Sequence, residues 1–350
     1  MTSDKPLRLI GGTASPYTMK MISLMRYRHI RYAVTWGMPD MILDKMAIER
    51  PQLAFMPTFL FDGDDGRPVA TCDSSPIIRR LETMYEGRSV LPADPALAFI
   101  DYLIEDFADE WVTKYMFHYR WYPQEDADNA GTLLPLTMDM KLSDEQALEF
   151  KTLFQARQIS RLSYVGSSDV TAPVIETSYR RFLAAMQNHL SQQPYMLGDR
   201  PGAGDFALYG QLTQLVGFDP SSRRIAHEVS PRTVAWVDML KDLSGVEPKE
   251  SDWTPLEDQP ETLRGLLAEL GRVYVPALLA NAQAVKAGEK KWSTQIDGQH
   301  WEQRSFPYQA KCLIWINEAY QALSDGDRAR VNRVLDGSGC EKLFNKVYCK

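Results

Sequence analysis

The sequence predicts an α/β domain followed by an all-α domain. The first ninety residues alternate between short apolar runs typical of strands and runs with helical spacing, whereas helical spacing dominates from residue 97 onward. With 350 residues, the chain is about twice as long as one ordinary domain, so it can form more than one core. We therefore expect domains over residues 1–90 and 95–245, with residues 246–350 as an extension packed on the helical domain.

The α/β domain begins with alternating strands and helices. Its pattern predicts a strand over residues 7–10, a helix over 16–28, a second strand over 31–36 and a short helix near 40–49. Because a strand, a helix and another strand in succession form a crossover, the first two strands should be parallel.

Residues 57–72 predict a β-hairpin. Two apolar runs, 57–61 and 69–72, flank the turn-rich segment 62–66, and a helix follows over 74–86. The first part of the chain should thus form a mixed four-stranded sheet, with a parallel pair at its start and an antiparallel hairpin at its end.

A long amphipathic helix opens the all-α domain. Over residues 100–120 its apolar face consists of Ile100, Leu103, Ile104, Phe107, Trp111, Tyr115 and Tyr119. The polar stretch over 123–135 is interpreted as a loop. Ser143 with Gln146 predicts a capping box that starts a helix ending near Leu162.

Helical spacing predicts further helices over residues 173–190, 203–217, 231–243, 263–278 and 308–323. The fourth of these should bend at Pro276. Asp297-Gly298 lies between two short strand-like runs and predicts a hairpin, and residues 247–255 are interpreted as a connector.

The composition argues against several classes of protein. A net charge of −7 and a pI near 5.4 disfavour nucleic acid or an anionic membrane as the partner. The sequence has neither an apolar run long enough to span a bilayer nor a secretory pattern in its first residues, so we expect a cytoplasmic protein. Cys72, Cys312, Cys340 and Cys349 are widely spaced, and the histidines show no ligand spacing, so we expect no metal.

A hydroxyl lies where the first strand gives way to the first helix, in Ser15-Pro16-Tyr17-Thr18. Serine is a favoured N-cap and proline a favoured first helical residue, so these residues can simply start a helix. The same hydroxyl, beside the positive end of a helix, can also donate to an anion. The tetrapeptide alone does not decide between the two roles.

Two further motifs flank the predicted hairpin. Met56-Pro57 introduces the third strand, where a cis proline would turn the Met56 backbone toward a ligand. Asp73-Ser74 follows the fourth strand and supplies a carboxylate and a hydroxyl at a helix start. Each motif also has an ordinary structural role, as a strand entry or a helix cap. Their order and spacing together with Ser15 favour a binding site.

In this order and spacing the motifs resemble those of the glutathione transferase superfamily. Ser15 stands in a serine form of the thioredoxin-like active turn, and Asp205 within residues 198–206 fits a helix-start motif of the second domain. The resemblance covers about residues 7–245. It implies a thioredoxin-like N-terminal domain, a glutathione-transferase-like helical domain and a C-terminal extension, and the chain is identified as a bacterial-type, serine-type member.

The resemblance implies a role for each motif residue. Ser15 would donate its hydroxyl to the sulfur of glutathione, the co-substrate, and would stabilise its thiolate. Met56 would pair through its backbone with the cysteinyl part, while Asp73 and Ser74 would bind the γ-glutamyl end. The expected glutathione-binding residues are Tyr17, Met56, Pro57, Asp73 and Ser74.

The second substrate is expected to be a small hydrophobic electrophile in a cleft between the domains. The resemblance implies that the helix over 100–120 lines this cleft, with Trp111 and Tyr115 as substrate contacts and His118 and Tyr119 beside them. The alternative is that these aromatic residues form the core face of an amphipathic helix.

The sequence also departs from the family pattern. Gly202 stands where the family has a Ser or Thr cap, residues 123–163 form an insertion, and residues 246–350 exceed the usual length. We expect a glutathione-dependent transferase that forms a homodimer. The alternative is a non-catalytic relative that binds a ligand or supports assembly, but the intact motifs favour the enzyme.

Overall fold

Strands at the start of the chain form one sheet, with helices in the connections between them. The computed structural model describes residues 5–52 and 54–344. Its N-terminal elements are β1 (Leu7–Gly11), α1 (Pro16–Tyr27), β2 (Tyr32–Trp36), α2 (Pro39–Lys45), β3 (Thr58–Asp62), β4 (Pro68–Thr71) and α3 (Ser74–Met84). This is the order of elements that the sequence predicts.

The strand order in this sheet is β2-β1-β3-β4. β1 and β2 are parallel, while β3 is antiparallel to both β1 and β4, which confirms the predicted crossover and hairpin. Ile10 pairs with Thr58, and Phe59 pairs with Thr71. The end of β1, the start of β3 and the end of β4 therefore lie at one edge of the sheet, which brings the three motifs together.

Helices dominate the rest of the chain. They are α4 (Pro95–Phe107), α5 (Thr113–Trp121), α6 (Gln124–Met138), α7 (Asp144–Ile159), α8 (Ala172–His189), α9 (Ala203–Gly217), α10 (Pro220–Val229), α11 (Pro231–Met239), α12 (Glu261–Lys286), α13 (Pro307–Ala322) and α14 (Asp325–Leu335). The predicted hairpin, β5 (Lys291–Ile296) with β6 (Gln299–Arg304), lies between α12 and α13. The predicted fold class, an α/β region followed by a helical domain and a C-terminal extension, is confirmed.

The predicted loop over residues 123–135 is wrong, because α6 occupies this segment. Ala127, Ala130 and Leu134 recur at helical spacing and bury against Trp121 in a separate apolar cluster. This stripe is narrow and consists mainly of small side chains, so the polar residues around it conceal the helical pattern.

α7 begins with the predicted capping box. Ser143 Oγ accepts a hydrogen bond from the Gln146 N–H at 3.2 Å, and Gln146 Oε1 accepts one from the Ser143 N–H at 3.0 Å. These two bonds satisfy N–H groups that a helix start otherwise leaves unpaired. α6 and α7 pack against each other as a helical hairpin at the surface.

One apolar cluster joins the sheet, the helical domain and the extension. Phe59 of β3, Phe182 of α8 and Leu270 of α12 all belong to it. The ring of Tyr274 in α12 also lies 6.1 Å from that of Phe107 in α4, measured between centroids. Because the extension shares this core, its residues can reach positions close to the sheet.

The N-terminus of α9 is capped by another helix, which accounts for the unusual glycine at position 202. Asp101 of α4 accepts hydrogen bonds from the N–H groups of Ala203 at 3.1 Å and Gly204 at 3.0 Å. Asp205 accepts a further bond from the Gly202 N–H at 2.9 Å. A Cβ on Gly202 would collide with Asp101 Oδ1. The carboxylate of Asp101 therefore occupies the space that a Ser or Thr cap would fill.

Replacing Asp101 by alanine is expected to lower the free energy of unfolding by about 2 kcal/mol. The buried Gly204 N–H at the start of α9 loses its partner, and the Ala203 N–H keeps only its bond to the carbonyl oxygen of Val90. Gly202→Ser should also destabilise the natural protein, since its Cβ meets Asp101. In the Asp101→Ala background, Gly202→Ser should instead stabilise, because serine can then cap the helix itself. Urea unfolding of the four proteins measures these effects, and simple additivity would contradict a cap shared between helices.

Candidate functional site

Ser15 lies at the N-terminus of α1, beside the edge of the sheet where the motifs meet. It is the N-cap residue, and its Oγ accepts a hydrogen bond from the Thr18 N–H at 3.3 Å. This bond uses a lone pair of the hydroxyl and leaves its proton free to donate. The partly exposed Ser15 can therefore cap the helix and donate to an anion at the same time.

A buried arginine of the helical domain holds the turn that precedes the N-cap of α1. Arg120 Nη1 donates to the carbonyl oxygen of Ala14 at 2.9 Å. The guanidinium also pairs with Asp219, with a nitrogen to oxygen distance of 2.9 Å, and lies over the Phe218 ring. The sequence does not reveal this contact, because 106 residues separate Arg120 from Ala14.

Met56 lies next to this turn. The Met56–Pro57 peptide bond is cis, and Pro57 directly precedes β3. The Met56 sulfur is 3.4 Å from the position that a Cβ would take on Gly12. The structure thus brings the predicted Met56-Pro57 motif against the segment that leads from β1 to Ser15.

Asp73 and Ser74 lie at the start of α3, on the same edge of the sheet. Asp73 Oδ2 accepts a hydrogen bond from the Tyr308 hydroxyl at 2.8 Å, and burial raises the pKa of Asp73. Ser74 Oγ accepts a bond from Lys20 Nζ at 3.1 Å. Like Ser15, Ser74 therefore keeps its own proton free to donate.

A buried ionic network lies behind Ser74. Lys20 Nζ is fully buried and lies 2.9 Å from Glu105 and 2.6 Å from Asp109. Burial alone would lower the pKa of Lys20, but the two carboxylates outweigh this effect and raise it. Arg79 also pairs with Glu105. The network therefore keeps a protonated lysine directly behind the Ser74 hydroxyl.

Tyr17 points to the helical domain. Its hydroxyl donates to the carbonyl oxygen of Asp109 at 2.7 Å and lies 3.3 Å from Thr113 Oγ1. Burial raises the pKa of the Tyr17 phenol well above its ordinary value. The hydroxyl expected to contact glutathione is thus engaged in a link between the two domains.

Trp111 and Tyr115 do not reach the surface near Ser15. Both side chains are fully buried, and Trp111 Nε1 donates to the Tyr115 hydroxyl at 2.8 Å. The Trp111 ring packs against Trp301, with centroids 5.3 Å apart, and Tyr115 packs against Tyr179 at 5.6 Å. The expected substrate contacts therefore have no exposed surface, and the structure fits the alternative that these residues form a core face.

Thr113 and Phe117 are the partly exposed residues of the same helix, whereas the residues between them are buried. Thr113 lies against Tyr17, and Phe117 packs on the same apolar cluster as Ala14. A π-helical turn over Ala108–Val112 precedes them, and its wider turn shifts the faces before and after it relative to each other. Thr113 and Phe117 are four residues apart and so lie on one face of the helix. The sequence alone does not show which face of this helix meets the sheet domain.

The described part of the chain offers no evident metal centre. Within residues 5–52 and 54–344, no three His, Cys, Asp or Glu side chains are grouped so that they could hold a metal ion. In the same ranges, no helix combines the length and the apolar character that crossing a bilayer requires. Burial raises the pKa of the thiols of Cys72, Cys312 and Cys340, and Cys349 lies outside the described residues.

Several solved structures are similar to this chain. A glutathione S-transferase from Rhodospirillum rubrum F11 shares 17% identity, with 75% of this chain and 91% of that one covered and a TM-score of 0.40. A Pseudomonas putida glutathione transferase with glutathione disulfide bound shares 14% identity, covering 76% of this chain and 93% of its own, with a TM-score of 0.38. A tau-class glutathione S-transferase from mango, Mangifera indica, shares 14% identity over 75% of this chain and 97% of its own, with a TM-score of 0.37.

Two family models match the chain, one in each of its first two parts. Residues 9–89 match the model described as glutathione S-transferase, N-terminal domain, and residues 156–238 match glutathione S-transferase, C-terminal domain. The first match spans all three motifs at the edge of the sheet. None of the curated proteins compared with the chain matches it. Since both domain models match in the order of the family, the chain belongs to the glutathione transferase superfamily.

Proposed function

We propose that the protein is a glutathione-dependent transferase whose thiol substrate binds where Ser15, Met56, Asp73 and Ser74 meet. The observation that carries this proposal is that both serine hydroxyls accept a hydrogen bond from the protein and keep a proton to donate. Two such donors and a carboxylate at one edge suit a peptide that carries a thiol and a free amino acid end. Membership of the superfamily supports the same substrate.

The γ-glutamyl end of glutathione binds at the start of α3. Asp73 accepts from its ammonium, and Ser74 donates to its carboxylate. Lys20 donates to Ser74 Oγ at 3.1 Å, so the hydroxyl proton of Ser74 is available to the ligand and not to Lys20. Met56, beside Pro57, pairs through its backbone with the cysteinyl part of the peptide.

Ser15 stabilises the thiolate of the substrate. A free thiol has a pKa of about 8.5, so only a few per cent is ionised near pH 7. Lowering that pKa by about two units requires roughly 2.7 kcal/mol, which one charge-assisted hydrogen bond and a helix N-terminus can supply. The thiol proton passes to solvent, the sulfur attacks an electrophilic carbon, and the leaving group departs with its bonding electrons.

Thr113 and Phe117 replace Trp111 and Tyr115 as the proposed wall for the electrophile. They are the partly exposed residues of α5. Thr113 contacts Tyr17 of the N-terminal domain, and Phe117 packs on an apolar cluster that Ala14 also contacts. An aromatic ring beside a small polar side chain suits a small hydrophobic molecule with one polar group.

We also propose that the protein forms a homodimer and is cytoplasmic. The proposed domains are residues 1–90, 95–245 and 246–350, with glutathione bound by the first domain and the second substrate held between the first and the second.

Titration calorimetry with glutathione tests this function. The natural protein should bind it, and Asp73→Asn should weaken binding at least about tenfold, because the ammonium loses its charged partner while Tyr308 keeps an acceptor. Asp62→Asn is the matched control, since Asp62 is an exposed carboxylate at the end of β3. Absence of binding by the natural protein would exclude the proposal. The ultraviolet absorbance of the thiolate measures the pKa of the bound thiol. Binding without a lowered thiol pKa would favour the non-catalytic alternative.

A further inference from the structure

The extension places one hydroxyl at the proposed glutathione site. Tyr308, the second residue of α13, donates to Asp73 Oδ2 at 2.8 Å although 235 residues separate the two. Tyr308 is partly exposed, so a bound molecule can reach part of its surface. The two family models, over 9–89 and 156–238, do not include this residue. The contact therefore belongs to this chain's own extension.

Hydrogen bonds on both sides of Tyr308 fix its position. The buried side chain of Asn281 donates to the carbonyl oxygen of Phe306 at 2.9 Å and accepts from the Phe306 N–H at 2.7 Å. Gln309 Nε2 donates to the carbonyl oxygen of Glu110 at 3.0 Å. Because α12 and α4–α5 hold the segment from both directions, the hydroxyl is placed at Asp73 before any ligand binds.

The direction of the bond determines what Tyr308 and Asp73 can bind together. A phenol has one proton, and Tyr308 donates it to Asp73, so the phenol oxygen presents only lone pairs to a ligand. A carboxylate accepts several hydrogen bonds, so Asp73 keeps capacity for further donors. Two acceptors with one negative charge between them suit an ammonium group, which has three donors and no acceptor.

We propose that Tyr308 is a binding residue of the glutathione site and holds the free ammonium of the γ-glutamyl end together with Asp73. This inference rests on the function proposed above. With Ser74 as the donor to the adjacent carboxylate, the site recognises an amino acid end that carries both charges. The substrate class is a thiol peptide with a free ammonium, and a thiol peptide with that nitrogen removed or acylated binds poorly.

Tyr308→Phe tests this inference with two ligands, glutathione and a glutathione analogue in which hydrogen replaces the amino group. The affinity of the variant for glutathione is expected to fall about tenfold, because one hydrogen bond to a charged group is lost. Its affinity for the analogue should equal that of the natural protein, since the analogue has no ammonium. Titration calorimetry measures both affinities, and thermal unfolding checks that the variant is folded.

Tyr320→Phe is the matched control. Tyr320 also lies in α13 and donates its hydroxyl to a side chain, Asn332, at 2.8 Å, so its loss should leave both affinities unchanged. An equal loss for both ligands in Tyr308→Phe would show a structural role, and no loss for glutathione would show no role, so either result overturns the inference and leaves the proposed function intact. Equal affinities of the natural protein for the two ligands would overturn it without any variant. Failure of the natural protein to bind glutathione would overturn the proposed function itself.

Discussion

Replacing Ser15 by alanine is expected to lower kcat/KM about 100-fold and to raise the pKa of the bound thiol toward that of free glutathione. The hydroxyl is the donor at the N-terminus of α1 whose proton the protein leaves free, and removing one such donor from a developing or stabilised anion commonly costs about two to three orders of magnitude. The helix N-terminus stays in place, so part of the pKa shift should persist. Ultraviolet absorbance of the thiolate as a function of pH, and turnover of a small aromatic electrophile, measure the two effects.

Two further substitutions separate the catalytic role of Ser15 from its role as a cap. Ser15→Thr keeps both the hydroxyl and the cap, so it should retain much of the activity. Ser15→Asp is also a favoured N-cap, but a carboxylate cannot donate and repels a thiolate. It should therefore be folded yet inactive. An active Ser15→Asp variant, or a Ser15→Ala variant with the thiol pKa of the natural protein, would contradict the assigned role.

The sheet and the start of α7 can be predicted from the sequence because their signals are local. Apolar runs that alternate with helical spacing, the turn at 62–66 and the capping residue Ser143 all act within a few positions of one another. α6 escapes prediction because its buried stripe contains Ala127 and Ala130. These side chains become core residues only through their contact with Trp121, which lies outside the helix.

The candidate site can be predicted only where it depends on local sequence. Ser15 and Asp73 follow strands and precede helices, so a motif identifies them. Asp101 and Tyr308 act on residues 102 and 235 positions away, and a single sequence carries no signal for such pairs. Their roles depend on how the extension and α4 pack onto the rest of the chain.

The aromatic face of the long helix shows a second limit. Spacing correctly identifies Trp111 and Tyr115 as one apolar face, but periodicity does not state which neighbour that face contacts. The π-helical turn at Ala108–Val112 adds a shift that no residue pattern in the sequence marks. Partly exposed Thr113 and Phe117 therefore become candidates only once the structure is known.

Lys20→Met is expected to lower the free energy of unfolding by about 4 kcal/mol. Lys20 is fully buried, and its removal takes away the ion-pair partner of the buried Asp109, whereas Glu105 keeps its pair with Arg79. Removing one partner of a buried ion pair commonly costs about 3–5 kcal/mol, because the remaining charge stays desolvated. Ser74 would also lose the donor behind its hydroxyl, so glutathione affinity should fall as well. Urea unfolding and titration calorimetry measure the two losses.

The pH dependence of the stability that Lys20→Met loses distinguishes an unpaired charge from simple loss of packing. Burial already raises the pKa of Asp109, and without Lys20 it should rise further, so the folded variant takes up a proton more readily than its unfolded chain. A folded-state pKa above the unfolded value stabilises the fold at low pH, and that stability is lost as pH rises through the folded value. The deficit of Lys20→Met should therefore be smaller near pH 5 than near pH 8. Lys241→Met, which breaks only an exposed pair with Asp238, should change little at either pH. An equal deficit at both pH values would mean that Lys20 stabilises the protein through its packing and not through its charge.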